Sequence, residues 1–79
     1  MTKIERIRYV DLKLQCGKKL TLKMISEETE CDKRTASRIL EFMKYRLNSP
    51  IEYNYPGEYY EYSIEGYKLF CYQPGRNLA

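Results

Sequence analysis

Two short segments with helical apolar spacing, separated by only a few residues, dominate the middle of the chain between residues 21 and 43. Thr21 and Asp32 each stand where a side-chain oxygen would accept a hydrogen bond from the free N–H groups of a first helical turn. Apolar residues recur at helical spacing after each of them, as Leu22 and Ile25, and then as Ala36, Leu40, Met43 and Leu47. The spacing therefore predicts a short helix, a tight turn and a longer helix.

The longer helix would begin with two cations and a hydroxyl, Lys33, Arg34 and Thr35. A short helix, a tight turn and a second helix with a basic start are typical of a helix-turn-helix that binds DNA. Cys31 would fill the turn as a small apolar side chain, and Ser26 would allow the second helix to approach closely. We interpret the rest of the chain as support for this unit.

Composition limits the other classes of protein. The 79 residues are enough for one domain with a small core. The sequence has neither an apolar run that would span a bilayer nor an apolar block of the signal-peptide kind. We therefore expect a cytoplasmic protein without a membrane partner.

Cysteine and histidine usage argues against a metal site. Cys16, Cys31 and Cys71 are odd in number and widely spaced, and the sequence has no His. A Cys/His zinc site is thus not expected, and reduced cysteines in the cytoplasm are the simplest interpretation. Without His or a Gly-rich phosphate loop we predict no enzyme activity, no cofactor and no small-molecule ligand.

Positive charge is concentrated on the longer helix. The net charge is only +3, but residues 33–46 contain five cations against the single acid Glu41. Those cations are Lys33, Arg34, Arg38, Lys44 and Arg46. Residues 51–65 contain four acids and neither Lys nor Arg. The longer helix is therefore the predicted contact for a polyanion.

A further helix is predicted before this unit, over residues 3–16. Its apolar positions are Ile4, Ile7, Val10 and Leu14, and Gly17 would end it in a left-handed conformation. Leu20 would be a buried anchor, placed where winged folds often have a strand of one or two residues. The second helix would cover residues 22–29, and the third would run from Lys33 to residue 46 or 47 before Pro50.

A β-hairpin is predicted after the third helix. Residues 51–55 alternate strictly, Pro56 and Gly57 mark a turn, and residues 58–63 are rich in strand-forming aromatics. Residues 67–72 would form either a third short β-like segment or a tail packed on the domain. The predicted fold is α+β, a winged helix-turn-helix of three helices and a hairpin wing over residues 1–72, with a flexible tail over residues 73–79.

From Glu5 to Leu69 the chain resembles the N-terminal winged helix-turn-helix domain of WYL-domain bacterial transcriptional regulators. The matching pieces are Glu5-Arg-Ile, Gly17-Lys-Lys-Leu-Thr, Cys31-Asp-Lys-Arg-Thr-Ala-Ser-Arg, Pro50-Ile-Glu-Tyr, and Gly66-Tyr-Lys-Leu after Tyr60. The resemblance implies a bacterial or phage DNA-binding regulator.

The chain departs from the family pattern at several places. Asp32 replaces the usual Ser cap, Glu30 stands where Gly is common, and Ile39 replaces an Asp that would orient neighbouring arginines. A WYL ligand-sensing domain does not follow in these 79 residues. A one-domain protein, of the kind that phages and mobile elements carry, and a fragment of a larger regulator both fit.

The expected function is sequence-specific binding of double-stranded DNA by a transcriptional regulator, a repressor in particular. We assign base contacts to Arg34 and Ser37 and phosphate contacts to Lys33 and Arg38. The full set of candidate DNA-binding residues is Thr21, Lys23, Lys33, Arg34, Thr35, Ser37, Arg38 and Lys44. Local capping for Thr21 and Thr35, and a solvated basic face for Lys33 and Arg38, are the alternatives.

The predicted wing tip has no cation and includes Glu58, so we expect it to add little affinity. Asn54 and Tyr55 are the tip residues that can donate to phosphate. The acidic, tyrosine-rich hairpin also admits two other functions, a protein-interaction surface or stacking on a single-stranded nucleic acid. A homodimer surface could include Ile39, Phe42 and residues 67–72. The alternative is that these residues enlarge the core of one domain.

Overall fold

The structure is a computed structural model, which describes residues 1–70 of the chain. Within them, three helices are followed by a two-stranded antiparallel hairpin, the layout of a winged helix. The elements are α1 (Lys3–Gln15), α2 (Leu22–Glu28), α3 (Lys33–Tyr45), β1 (Ile51–Asn54) and β2 (Tyr59–Tyr62). The predicted fold class is confirmed. The predicted tail, residues 73–79, lies outside the described residues.

Side-chain caps start all three of these helices. The Thr21 hydroxyl accepts from the N–H of Met24 at 3.1 Å, and the Asp32 carboxylate accepts from the N–H of Thr35 at 2.7 Å, so both predicted caps are confirmed. The cap of α1 was not predicted. Thr2 and Glu5 each accept from the other's backbone N–H, which makes a capping box.

Residues with left-handed backbone conformations end α1 and α2. Gly17 has the predicted positive φ, 78°, and the N–H of Lys18 reaches the carbonyl of Lys13 at 3.0 Å. After α2 the same role falls to Glu30, at φ 57°, while the N–H of Cys31 reaches the carbonyl of Ser26 at 3.0 Å. Glu30 therefore adopts a conformation that favours glycine.

The core lies where α1, α2, α3 and the hairpin meet. Its buried apolar residues are Ile7, Val10, Leu14, Leu20, Ile25, Ala36, Ile39, Leu40, Met43 and Ile51. Leu20 pairs with Tyr60 through two backbone hydrogen bonds, which confirms the short strand expected before α2. Cys31 packs against the core as expected, and Ile39 belongs to the core rather than to an exposed dimer surface.

Ile4 lies on the predicted apolar stripe of α1 but is not buried with Ile7, Val10 and Leu14. Its side chain is 49% exposed, because the packed part of α1 begins one turn later, at Ile7. Residues 67–70 form no strand. Instead Leu69 and Phe70 pack against the core, which is the second of the two predicted alternatives. Residues 71–72 lie outside the part of the chain that is described.

A fully buried carboxylate joins α1, the hairpin and the C-terminal segment. Asp11 accepts hydrogen bonds from the Tyr62 hydroxyl at 2.6 Å and from the Gln15 amide at 2.6 Å. It also accepts from the backbone N–H groups of Leu69 at 3.0 Å and Phe70 at 3.1 Å. These four donors satisfy a charge that burial would otherwise penalise.

The hairpin is held by pairing in register and by a turn around Asn54. Ile51 pairs with Tyr62 and Tyr53 pairs with Tyr60 on the face toward the core, while Glu52 stands opposite Glu61 on the other face. A side chain at residue 57 would meet the Tyr59 ring, which would have to move to make room for it. No helix in residues 1–70 is both long and apolar enough to cross a membrane.

Candidate functional site

The outward face of α3 has four exposed cations and one exposed acid. Asp32 caps the helix, and Ala36, Leu40 and Met43 are buried beneath it. The exposed charged residues on the helix are Lys33, Arg34, Arg38, Glu41 and Lys44. Ser37 and Thr35 lie half-buried at the two edges of this face. The predicted separation of a polar face from a core face is confirmed.

Capping of α3 is electrostatic as well as geometric. The hydrogen bonds from Thr35 lower the pKa of Asp32 below its usual value, and the nearby Arg34 lowers it further. The carboxylate is therefore charged at neutral pH, next to the positive end of the helix dipole. It holds the first turn, and with it the basic side chains of Lys33 and Arg34, in a helical conformation.

The hairpin borders one side of this face. A depression of about 170 Å³ lies between α3 and the hairpin, lined in part by Ser37, Lys44, Tyr53 and Tyr60. The ring centroids of Tyr53 and Tyr60 are 4.8 Å apart in an edge-to-face contact. Burial raises the pKa of the Tyr60 phenol, so it is uncharged at neutral pH. The hairpin thus presents neutral aromatic side chains to the edge of α3.

The N-terminal half of α1 borders the other side. A groove of about 530 Å³ lies between the two helices. Lys3, Arg6 and Arg46 join Arg38 along its edges, and Phe42 and Tyr45 are among its apolar walls. The outward face of α3 is therefore a ridge between two depressions, one aromatic and one with basic edges.

Thr21 and Lys23 lie at the start of α2, at the far end of that helix from the turn leading into α3. The Thr21 side chain is half-buried and already serves as a cap, and Lys23 is exposed. These two residues mark the N-terminus of α2, which is separate from that of α3 and carries one exposed cation, Lys23. The structure supports the interpretation of Thr21 as a helix cap. Contact of Thr21 and Lys23 with a DNA backbone stays a prediction.

At the hairpin tip, Asn54 is committed to the turn. Its amide nitrogen donates to the Tyr59 hydroxyl at 3.0 Å, and its amide oxygen accepts from the N–H of Gly57 at 2.9 Å. A contact from Asn54 to phosphate would break this arrangement. Tyr55 is 78% exposed, and its ring meets that of Tyr53 edge-on. Of the two predicted tip residues, Tyr55 is the accessible one.

Sequence reasoning missed Tyr45, which is 69% exposed near the end of α3. Arg34, Arg38, Glu41 and Tyr45 follow the spacing of a single helix face, so the pattern was available in the sequence. It also missed Lys3 and Arg6 as neighbours of Arg38. That proximity arises from the packing of α1 on α3 and has no local signal.

Comparison with models of known protein families, with curated proteins and with solved structures found no match. In residues 1–70, no cluster of three or more His, Cys, Asp or Glu side chains could hold a metal ion.

Proposed function

We propose that the protein binds double-stranded DNA with sequence specificity and inserts α3 into the major groove. The observation that supports this most directly is the exposed basic face of α3, with four cations and one acid above a buried apolar face. An α-helix fits the width of the major groove, and cations on its outer face can reach both base edges and phosphates.

Each side chain has a role in this proposal. Arg34 lies in the first turn of α3, where it can donate two hydrogen bonds to a guanine, and Ser37 can contact a neighbouring base. Lys33, Arg38 and Lys44 neutralise phosphates and set the register of the helix. The hairpin adds little, because its tip has no cation and Asn54 is held within the turn.

We further propose that the protein is a cytoplasmic transcriptional regulator that represses by occluding a promoter. The resemblance to the DNA-binding domain of WYL regulators supports this role. A single domain of this size makes few phosphate contacts. A second copy on a two-fold related half-site would raise affinity and specificity.

Selection of bound duplexes from a random pool, followed by titration in a gel shift, tests the proposal. We expect Arg34→Ala to weaken binding to the selected duplex by about 1–3 kcal/mol and to relax specificity at one position. Lys33→Ala should weaken binding to all sequences and reduce the slope of log affinity against log salt by about 1. Lys68→Ala, which removes an exposed cation that is not part of α3, is the matched control.

Enrichment of no duplex sequence would contradict sequence-specific binding. Equal losses for Lys68→Ala and Arg34→Ala would contradict the placement of the site on α3. Retention of full affinity in both Arg34→Ala and Arg38→Ala would do the same.

One observation favours a second candidate function, a protein-interaction surface on the hairpin. Glu52 and Glu61 stand directly opposite each other in the ladder, an arrangement of like charges that destabilises a sheet. A cationic partner would relieve this repulsion. Stacking on single-stranded nucleic acid has weaker support, since Tyr53 and Tyr60 pack edge-to-face instead of offering two free ring faces.

A further inference from the structure

The N-terminal turn of α1 presents an apolar side chain that the described chain leaves uncovered. Ile4 continues the helical stripe of Ile7 and Val10, yet it is 49% exposed. Together with Ile7, Phe42 and the Lys3 side chain it lines a depression of about 240 Å³. Large exposed aliphatic side chains beside such a depression are typical of interaction sites.

This depression adjoins the groove between α1 and α3, since Lys3 and Phe42 line both. We call the combined surface the α1–α3 groove. Its apolar part is formed by Ile4, Ile39, Phe42 and Tyr45, and its cations are Lys3, Arg6, Arg38 and Arg46. Among residues 1–70, Glu41 is the only acid that lines it. The groove therefore combines an apolar floor with a basic rim.

The cations are held close to the apolar floor. The Lys3 ammonium lies 3.6 Å from the centroid of the Phe42 ring, and the Arg46 guanidinium lies 5.8 Å from the same centroid. The Nε atom of Arg6 donates to the carbonyl of Thr29 at 3.2 Å. An occupant would thus meet aromatic and aliphatic surface directly beside positive charge.

Charge selects among the possible occupants. Two copies of the chain related by a two-fold axis at this groove would bring the same four cations face to face. Residues 71–79 contain Arg76 and no acidic side chain, so they do not complement the rim. A DNA backbone would pair with the cations but would leave Ile4 and Phe42 against its hydrated phosphates.

We infer that the α1–α3 groove docks an acidic amphipathic helix of a partner protein. The apolar face of that helix covers Ile4 and Phe42, as in other helix-in-groove complexes. Carboxylates along its edges pair with Lys3, Arg6 and Arg46. Because Arg38 lies on this groove and on the outward face of α3, a docked partner competes with DNA. Docking itself does not depend on the proposed DNA binding.

The probe is a synthetic, fluorescein-labelled peptide of about 16 residues, with Leu and Phe along one helical face and Glu elsewhere. A scrambled peptide of the same composition is its control. Fluorescence anisotropy with the 79-residue chain measures affinity, and backbone amide chemical shifts locate the site. We expect the amphipathic peptide to bind and to shift the amides around Ile4 and Phe42, and the scrambled peptide to bind much more weakly.

Two matched variants separate the groove from the rest of α1. Ile4→Ser should weaken peptide binding by about tenfold, since it removes an apolar anchor that binding buries. Leu12→Ser is the control, because Leu12 is 42% exposed on the same helix. It should leave peptide affinity within about twofold of the parent chain. Circular dichroism checks that both variants keep their helix content.

Several outcomes overturn the inference. The amphipathic peptide could fail to bind at concentrations up to about 1 mM, or the scrambled peptide could bind with equal affinity. Ile4→Ser and Leu12→Ser could weaken peptide binding equally, or the peptide could shift only backbone amides of the hairpin. If Ile4→Ser weakens duplex binding and leaves peptide binding unchanged, the groove belongs to the DNA surface and the inference is wrong. If the peptide does not bind but the duplex binds normally, the inference about the groove is wrong and the proposed DNA binding still stands.

Discussion

The outward face of α3 and the hairpin lie side by side, yet they differ in charge and in how tightly their side chains are held. On α3, Lys33, Arg34 and Arg38 are exposed above a core formed by other residues. On the hairpin, Asn54 and Tyr62 are committed to internal hydrogen bonds, and the charged positions are acidic. The basic side chains of α3 are therefore accessible to a ligand, whereas Asn54 and Tyr62 of the hairpin stabilise the fold.

This difference separates changes that alter binding from changes that alter stability. A substitution on the outward face of α3 should change affinity and leave the free energy of unfolding almost unchanged. A substitution at the hairpin or at its attachment to α1 should do the opposite. The following predictions test that separation in order of expected effect.

The largest effect is expected for Asp11→Ala. The substitution leaves the partly buried Tyr62 hydroxyl and the partly buried N–H groups of Leu69 and Phe70 without their acceptor. We expect the free energy of unfolding to fall by about 3 kcal/mol or more, since each orphaned donor is penalised. Urea denaturation measures it, with Glu27→Ala, an exposed carboxylate on α2, as the control. A loss below about 1 kcal/mol would show that the buried carboxylate contributes little.

A smaller effect of opposite sign is expected for Glu30→Gly. Glu30 has φ 57°, which a side chain disfavours and glycine adopts freely. We expect a gain of about 0.5–1 kcal/mol in the free energy of unfolding. The matched variant Glu27→Gly, at an exposed position in the last turn of α2, should destabilise by up to about 1 kcal/mol. A loss of stability in Glu30→Gly would mean that the Glu30 side chain makes a compensating contribution.

Reversal of one hairpin charge tests the effect of the hairpin on both stability and DNA affinity. Glu61→Lys would place a cation opposite Glu52 and replace a like-charge pair by an opposite pair. We expect stability to rise by about 0.5 kcal/mol. Duplex affinity should rise slightly as well, because replacing an acid by a cation makes the net charge of the protein more positive. Unchanged duplex affinity at low salt would indicate that the hairpin lies away from bound DNA.

The smallest effect is a pH dependence from the cap of α3. The pKa of Asp32 is lowered in the folded protein by its hydrogen bonds with Thr35, so its charged form stabilises the fold. That contribution is present above the unfolded-state value of 3.8 and is lost as pH falls through the lower folded-state pKa. Thermal melting between about pH 2.5 and 6 should therefore depend less on pH in Asp32→Asn than in the parent chain. Parallel curves for the two proteins would contradict this assignment.

Features set by local interactions could be predicted from the sequence. The starts of α2 and α3 follow from Thr21 and Asp32, the end of α1 follows from Gly17, and the hairpin follows from strict alternation before a Pro-Gly turn. Each depends on residues within about one turn of one another, so a short window contains the necessary information.

Features that depend on distant residues could not be predicted. Asp11 meets Tyr62, Leu69 and Phe70 only because the hairpin and the chain after it fold back onto α1. The exposure of Ile4 depends on which part of α1 the rest of the fold covers, which the period of a single helix does not reveal. The basic rim of the α1–α3 groove has the same origin. Tyr45 is different, since its position on the face of Arg34 and Arg38 follows from helical spacing.

The hydrogen bonds at Asp11 also have a mechanical consequence. They fasten the backbone at Leu69 and Phe70 to the middle of α1, through the carboxylate that also accepts from Tyr62 of the hairpin. Tension applied at Phe70 would therefore load α1 and β2 together at Asp11, and it would reach α3 through the helix packing. In this fold, the last described residues are anchored to the same helix that forms one wall of the α1–α3 groove.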